Sequence, residues 1–118
     1  MTLRECYDAV GGNYDEAVRR LISEDNVRKF LRLFLEDRSY HDLEEAAKAG
    51  DLDAIFRSVH VLKGVCLNLG LDNLAHAASS LTEAVRGGKQ PSEDALMEML
   101  HQIAEDYDTA AEAIRALD

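Results

Sequence analysis

The chain has 118 residues, enough to bury one modest hydrophobic core in a single small domain. Its 23 acidic and 13 basic side chains give a formal net charge of −10, which repels nucleic-acid phosphates and anionic membrane surfaces. No run approaches the roughly 20 apolar residues of a membrane span, and Met1-Thr2-Leu3-Arg4-Glu5 lacks the pattern of a secretion signal. A cytoplasmic location is therefore expected.

Helix signals account for nearly all of the sequence. A first helix over residues 3–10 stops at Gly11-Gly12-Asn13, residues that tolerate the positive φ of a helix C-terminus. A short amphipathic segment follows over 14–21, with Ala17, Val18, Leu21 and Ile22 on one side. Ser23 is the expected cap of the next helix, and Glu24 and Asp25 in its first turn suit the helix dipole. The stripe Val27, Phe30, Leu31, Phe34, Leu35 runs to a break near Asp37-Arg38-Ser39 and resumes as Leu43, Ala46 and Ala47 before Gly50. That pattern fits one kinked helix or two in succession.

Asp51 is the expected cap of a helix carrying Ile55, Val59, Leu62, Cys66 and Leu69 as its apolar stripe and ending at Gly70. Asp72 is the expected cap of the following one, which runs to Arg86 with Leu74, Ala78, Leu81 and Val85 inward. Gly87-Gly88-Lys89-Gln90-Pro91 reads as a loop. The last helix carries Leu96, Leu100, Ile103, Tyr107, Ala110, Ile114 and Leu117 at alternating three- and four-residue spacing. Short connections force neighbouring helices to lie antiparallel. The expectation is an all-α, antiparallel up-down four-helix bundle over residues 24–118, with short helices over 1–22 packed across one end or side.

The informative motif is His60-Val61-Leu62-Lys63-Gly64, followed by Asn68-Leu69-Gly70. At about 100° per residue, positions 60, 63, 64 and 67 point one way while the apolar stripe points another. His60 therefore looks outward. A ring nitrogen of imidazole is a good nucleophile near neutral pH, and the P–N bond it forms with phosphate stays labile enough to pass the group onward. Lys63 lies along the same face and can offer an ammonium to phosphoryl oxygens. Gly64, one turn from His60, keeps the ring uncrowded, a benefit that offsets the ~1 kcal/mol a glycine costs inside a helix.

With these residues on a helix in an all-helical chain of this length, the sequence resembles the histidine-containing phosphotransfer (HPt) domain of two-component phosphorelays. The likeness is strongest over residues 52–88, where Leu74, Leu81 and Glu83 also follow the family's spacing. The resemblance implies a phosphoryl carrier with His60 as phosphoacceptor, passing the group between aspartates of receiver domains, one of which can belong to a hybrid sensor kinase. It implies no ATP site and no autokinase activity. It also implies no cofactor in this chain, any magnesium being bound by the receiver partner, and a monomer. Arg86 falls where the family often places a basic or polar residue near the partner. Phe56 and Leu67, one turn before and two turns after His60, are expected to form an apolar docking patch. Two positions depart from the family pattern: Leu67 stands where a small residue is common, and Thr82 replaces a longer polar side chain.

The remaining chemistry-bearing residues invite simpler readings. Cys66 lies on the apolar stripe as a buried thiol, and with Cys6 it makes no zinc or disulfide signature. His41, His76 and His101 fall on polar surfaces. Glu98 and His101 form one Glu-x-x-His motif, but a di-iron bundle needs two such motifs and two further glutamates. A sensor-kinase phosphoacceptor helix usually carries an acidic residue directly after the histidine, where this chain has Val61. A helical interaction module in which His60 is never phosphorylated is the remaining alternative.

Overall fold

A computed structural model describes residues 1–118 and contains helices and no strand. The helices are α1 (Leu3–Val10), α2 (Tyr14–Leu21), α3 (Glu24–Phe34), α4 (Ser39–Ala49), α5 (Leu52–Leu69), α6 (Asp72–Val85) and α7 (Glu93–Arg115). Helices α4 to α7 run alternately up and down. Phe34 and Tyr40 meet Tyr107 of α7, and the Tyr40 and Tyr107 rings stack at 3.9 Å between centroids to close the fourth side of the bundle. At about 1.5 Å per residue, the 23 residues of α7 account for most of the 40 Å long axis.

The break near Asp37 separates α3 from α4. Asp37 accepts hydrogen bonds from both the backbone N–H and the hydroxyl of the buried Ser39, fixing the start of α4 without a side-chain bond from its N-cap, Arg38. The two short helices share the flank of α5: α4 lies along its first half, and α3 along its last turns, where Leu33 and Phe34 approach Val65 and Leu69.

The α5 stripe packs as its periodicity predicts. Ile55, Val59, Leu62, Cys66 and Leu69 are all buried, together with Leu74, Ala78, Leu81 and Val85 of α6. On α7, Ile103, Ala110 and Ile114 are buried and Leu96, Leu100 and Tyr107 half-buried, whereas Leu117, expected on the last helix, lies beyond its end at Arg115 and is half-buried. Leu3, Cys6, Tyr7 and Val10 of α1 and Ala17 of α2 join the same apolar cluster, so the N-terminal helices extend one core.

Three expectations need correction. Asp72 is the first residue of α6 and not its cap. The N-cap is the buried Leu71, which has no side-chain capping bond, and the Asn73 N–H donates instead to the Gly11 carbonyl at 3.3 Å. A tertiary acceptor thus replaces the local one. Ile22 does not continue the apolar side of α2: the helix ends at Leu21, and Ile22 turns the chain at φ +83 and is 80% exposed. Phe30 is 41% exposed, lining an open groove with Leu21, Leu33 and Val65, because Val27, Leu31 and Phe34 already fill the inward face of the short α3.

Gly11-Gly12-Asn13 does more than stop α1. Gly11 takes the left-handed cap conformation, and Asn13 caps α2 by accepting from the Glu16 N–H. A Cβ on Gly12 would lie 2.6 Å from the Gly70 carbonyl oxygen, so only glycine lets the α1–α2 link approach the α5–α6 turn. The Asn13 N–H closes that junction on the same Gly70 carbonyl at 2.9 Å.

The buried Cys66 and the half-buried Tyr40 make stability sensitive to alkali. Burial pushes the Cys66 thiol from 9.0 up to about 12, with Asp37 adding to the rise. The Tyr40 hydroxyl is likewise raised from 10.0 to about 12, by burial and then by Glu44. Because the folded state holds these protons more tightly, their contribution is complete below about pH 9 and is lost as the pH climbs towards 12. Melting temperatures measured from pH 7 to 11 should therefore hold steady and then fall beyond pH 9. A Cys66→Ala variant, less stable throughout, should show a shallower fall.

Candidate functional site

Helix α5 carries the candidate site, and both of its ends are held by specific hydrogen bonds. Asp51 accepts from the Ala54 N–H at 3.1 Å at the N-terminus, and Gly70 ends the helix in the left-handed conformation. Near that C-terminus, Arg20 of α2 donates to the Leu67 carbonyl, placing a cation where the helix dipole favours one. With Ile55, Val59, Leu62 and Cys66 locked in the core, the rotation of α5 about its axis is set, and His60 is exposed.

The His60 ring lies nearly parallel to that of Phe56, with an interplanar angle of 9° and 5.7 Å between centroids. Phe56 is half-buried and packs against the core with one part of its ring. The Arg86 guanidinium carbon lies 5.5 Å from the Phe56 centroid. Arg86 is in turn held by Glu83, its Nη2 donating to Oε1 at 2.9 Å and its Nε to both carboxylate oxygens at 3.2 Å. That hydrogen bonding holds the Glu83 carboxyl below its usual range; some desolvation opposes the shift, and the charges of Arg86, Lys63 and Lys89 add to it.

Lys63 is half-buried on the α6 side of the face, beside a groove it shares with Leu67, Asp72, Ala75, His76 and Ser79. It enters none of the molecule's ion pairs, so its ammonium remains available to an incoming anion. Gly64 is exposed, and a Cβ built on it meets nothing within 4 Å. Nothing inside the molecule therefore requires glycine at this position. Leu67 is 50% exposed and points outward.

Arg86 is not on α6 but at its C-cap, in an extended conformation that begins a short turn through Gly88. Thr82 faces the interior: it is fully buried, and its hydroxyl donates to the Ala78 carbonyl at 2.7 Å. It is thus no shortened substitute for a polar group beside His60. The exposed residue on this turn is Glu83, which the sequence marks only through the family spacing. An acid three residues before Arg86 was the available signal.

His41, His76 and His101 are exposed, and Cys6 and Cys66 are both buried free thiols. No three His, Cys, Asp or Glu side chains gather as a metal-binding group, leaving Glu98 and His101 unaccompanied. No helix is long and apolar enough to cross a membrane.

An exposed histidine thus stands near an unpaired lysine and a glycine with open space around it, on one helix of the bundle. The family model for the Hpt domain matches residues 29–115. The chain belongs to the Hpt domain family. As an Hpt domain it has a histidine phosphotransfer role in two-component signalling, as a phosphoryl carrier that meets receiver domains or kinases. Comparison with curated proteins and with solved structures finds no match. The matched segment begins within α3, so α1 and α2, which share the same apolar core, lie outside the family match.

Proposed function

We propose that this protein relays a phosphoryl group between aspartates of two receiver domains, with His60 as the intermediate carrier. In the forward step a lone pair of the His60 ring attacks phosphorus, the P–N bond forms, and the O–P bond of the aspartyl phosphate breaks to leave a carboxylate. The second receiver's aspartate reverses these events and restores the imidazole. Such transfer needs a nucleophile that a folded partner can reach. The observation that carries the reading is the pairing of an exposed His60 with a Gly64 whose missing side chain leaves open space.

Lys63 would neutralise charge on the phosphoryl oxygens during both steps. Leu67, the exposed edge of Phe56 and the rim residue Arg86 would form the docking surface, with apolar burial giving affinity and the charges fixing orientation. Any magnesium belongs to the receiver.

The direct test is incubation with a phosphorylated receiver domain, followed by detection of acid-labile, base-stable phosphate on the chain. Absence of that phosphate would leave an interaction module in place of a carrier. Two variants separate chemistry from docking. Lys63→Ala should slow transfer roughly 10- to 100-fold, less than loss of an enclosed oxyanion donor because water reaches this site. Leu67→Gln should weaken receiver binding about tenfold through lost apolar burial, with a melting temperature close to wild type. A large fall in melting temperature for Leu67→Gln would move the docking surface elsewhere.

A further inference from the structure

The His60 ring takes part in no hydrogen bond within the molecule, so no carboxylate or carbonyl fixes its orientation as a partner group commonly does for a nucleophile or base. The ring packed against it belongs to a stack. Phe56 lies parallel to the imidazole at 5.7 Å, Arg86 lies 5.5 Å from the centre of the same Phe56 ring, and Glu83 grips Arg86 through three hydrogen bonds. Phe56 is itself anchored, since part of it packs against the buried core. Arg86 needs anchoring, because it precedes Gly87 and Gly88, both at positive φ, on an exposed turn.

We propose that Phe56 is a positioning residue for phosphoryl transfer: it restricts rotation of the His60 ring so that a ring nitrogen faces the incoming phosphorus, and Glu83 holds Arg86 over Phe56 to keep that ring in place. This rests on the carrier role of His60. An imidazole free to turn about its Cβ–Cγ bond would spend much of its time with neither nitrogen aligned for in-line attack. The stack narrows that range without covering the exposed side of the ring. Phe56 then affects how fast the group moves once the partner is bound, beyond any contact it makes with the partner.

Two measurements on the full chain test this, using Phe56→Leu, Phe56→Tyr and Glu83→Gln. Leucine keeps apolar bulk but removes the ring, tyrosine keeps the ring, and glutamine weakens the grip on Arg86. In proton NMR, the His60 ring signals of the wild type should carry a ring-current displacement that Phe56→Leu loses and Phe56→Tyr retains. In single-turnover transfer from a phosphorylated receiver, Phe56→Leu should lower the limiting rate roughly tenfold, in keeping with the cost of misorienting a reacting group. The half-saturating receiver concentration should stay within about twofold. Phe56→Tyr should restore the rate, and Glu83→Gln should lower it by a smaller factor.

A raised half-saturating concentration with an unchanged limiting rate would make Phe56 a docking residue only and overturn the proposal. Unchanged His60 signals in Phe56→Leu would overturn it as well. If the wild type accepts no phosphate while its ring displacement is present, the carrier reading fails and the proposal with it, although the stack itself is real.

Discussion

His60→Gln is expected to abolish phosphate acceptance from a phosphorylated receiver while leaving the fold in place. Glutamine has no ring nitrogen to form the P–N bond, so the loss should be complete and not graded. The side chain is exposed, and the packing of α5 depends on Ile55, Val59, Leu62, Cys66 and Leu69 on the opposite side. Stability should therefore change by no more than about 0.5 kcal/mol, as for surface substitutions generally. Circular dichroism melts and phosphate incorporation measured on the same preparation check both halves. Persistent incorporation in His60→Gln would place the acceptor on another side chain, with His41, His76 and His101 the exposed candidates.

Gly64 should separate stability from activity in opposite directions. Because a Cβ at this position meets nothing within 4 Å, Gly64→Ala should stabilise the helix by about 0.5–1 kcal/mol, the usual difference between the two residues in a helix interior. Gly64→Gln should also melt no lower than wild type, yet its long side chain would stand beside His60 where a partner must approach. Displacing the reacting groups by even 1 Å can cost on the order of 10²-fold, and a loss of that size is expected for Gly64→Gln. Equal transfer rates for wild type, Gly64→Ala and Gly64→Gln would show that the open space serves no partner. A fall in melting temperature for both variants would instead mean that the helix tolerates no side chain there.

The outward direction of His60 is legible in the sequence because it depends on local geometry alone. A helix turns by a constant angle per residue, and the five apolar residues from Ile55 to Leu69 define an inward face that His60, Lys63 and Gly64 cannot share. Helix ends are legible for the same reason. Gly11, Gly50 and Gly70 each supply a left-handed cap that is a property of a single residue, and Ser23 and Asp51 each cap through a bond three residues away. The family likeness rests on residues clustered in one stretch of chain.

What only the tertiary structure decided involves groups brought together from different helices, where spacing along the chain carries no information. Asp72 does not cap α6, because the Gly11 carbonyl, far earlier in sequence, meets a backbone donor of its first turn. Thr82 is buried among the helices, and its hydroxyl is satisfied by its own α6 backbone, although a threonine so near a helix end reads equally well as a surface residue. Gly12 has to be glycine because the α5–α6 turn passes within reach of its missing Cβ. Above all, Arg86 meets the Phe56 ring that stacks on His60, although sequence offers both only as partner contacts, because α6 ends alongside the first turns of α5. Periodicity determines which way a side chain points, whereas its neighbour depends on where the packing of the whole core sets the adjacent helix.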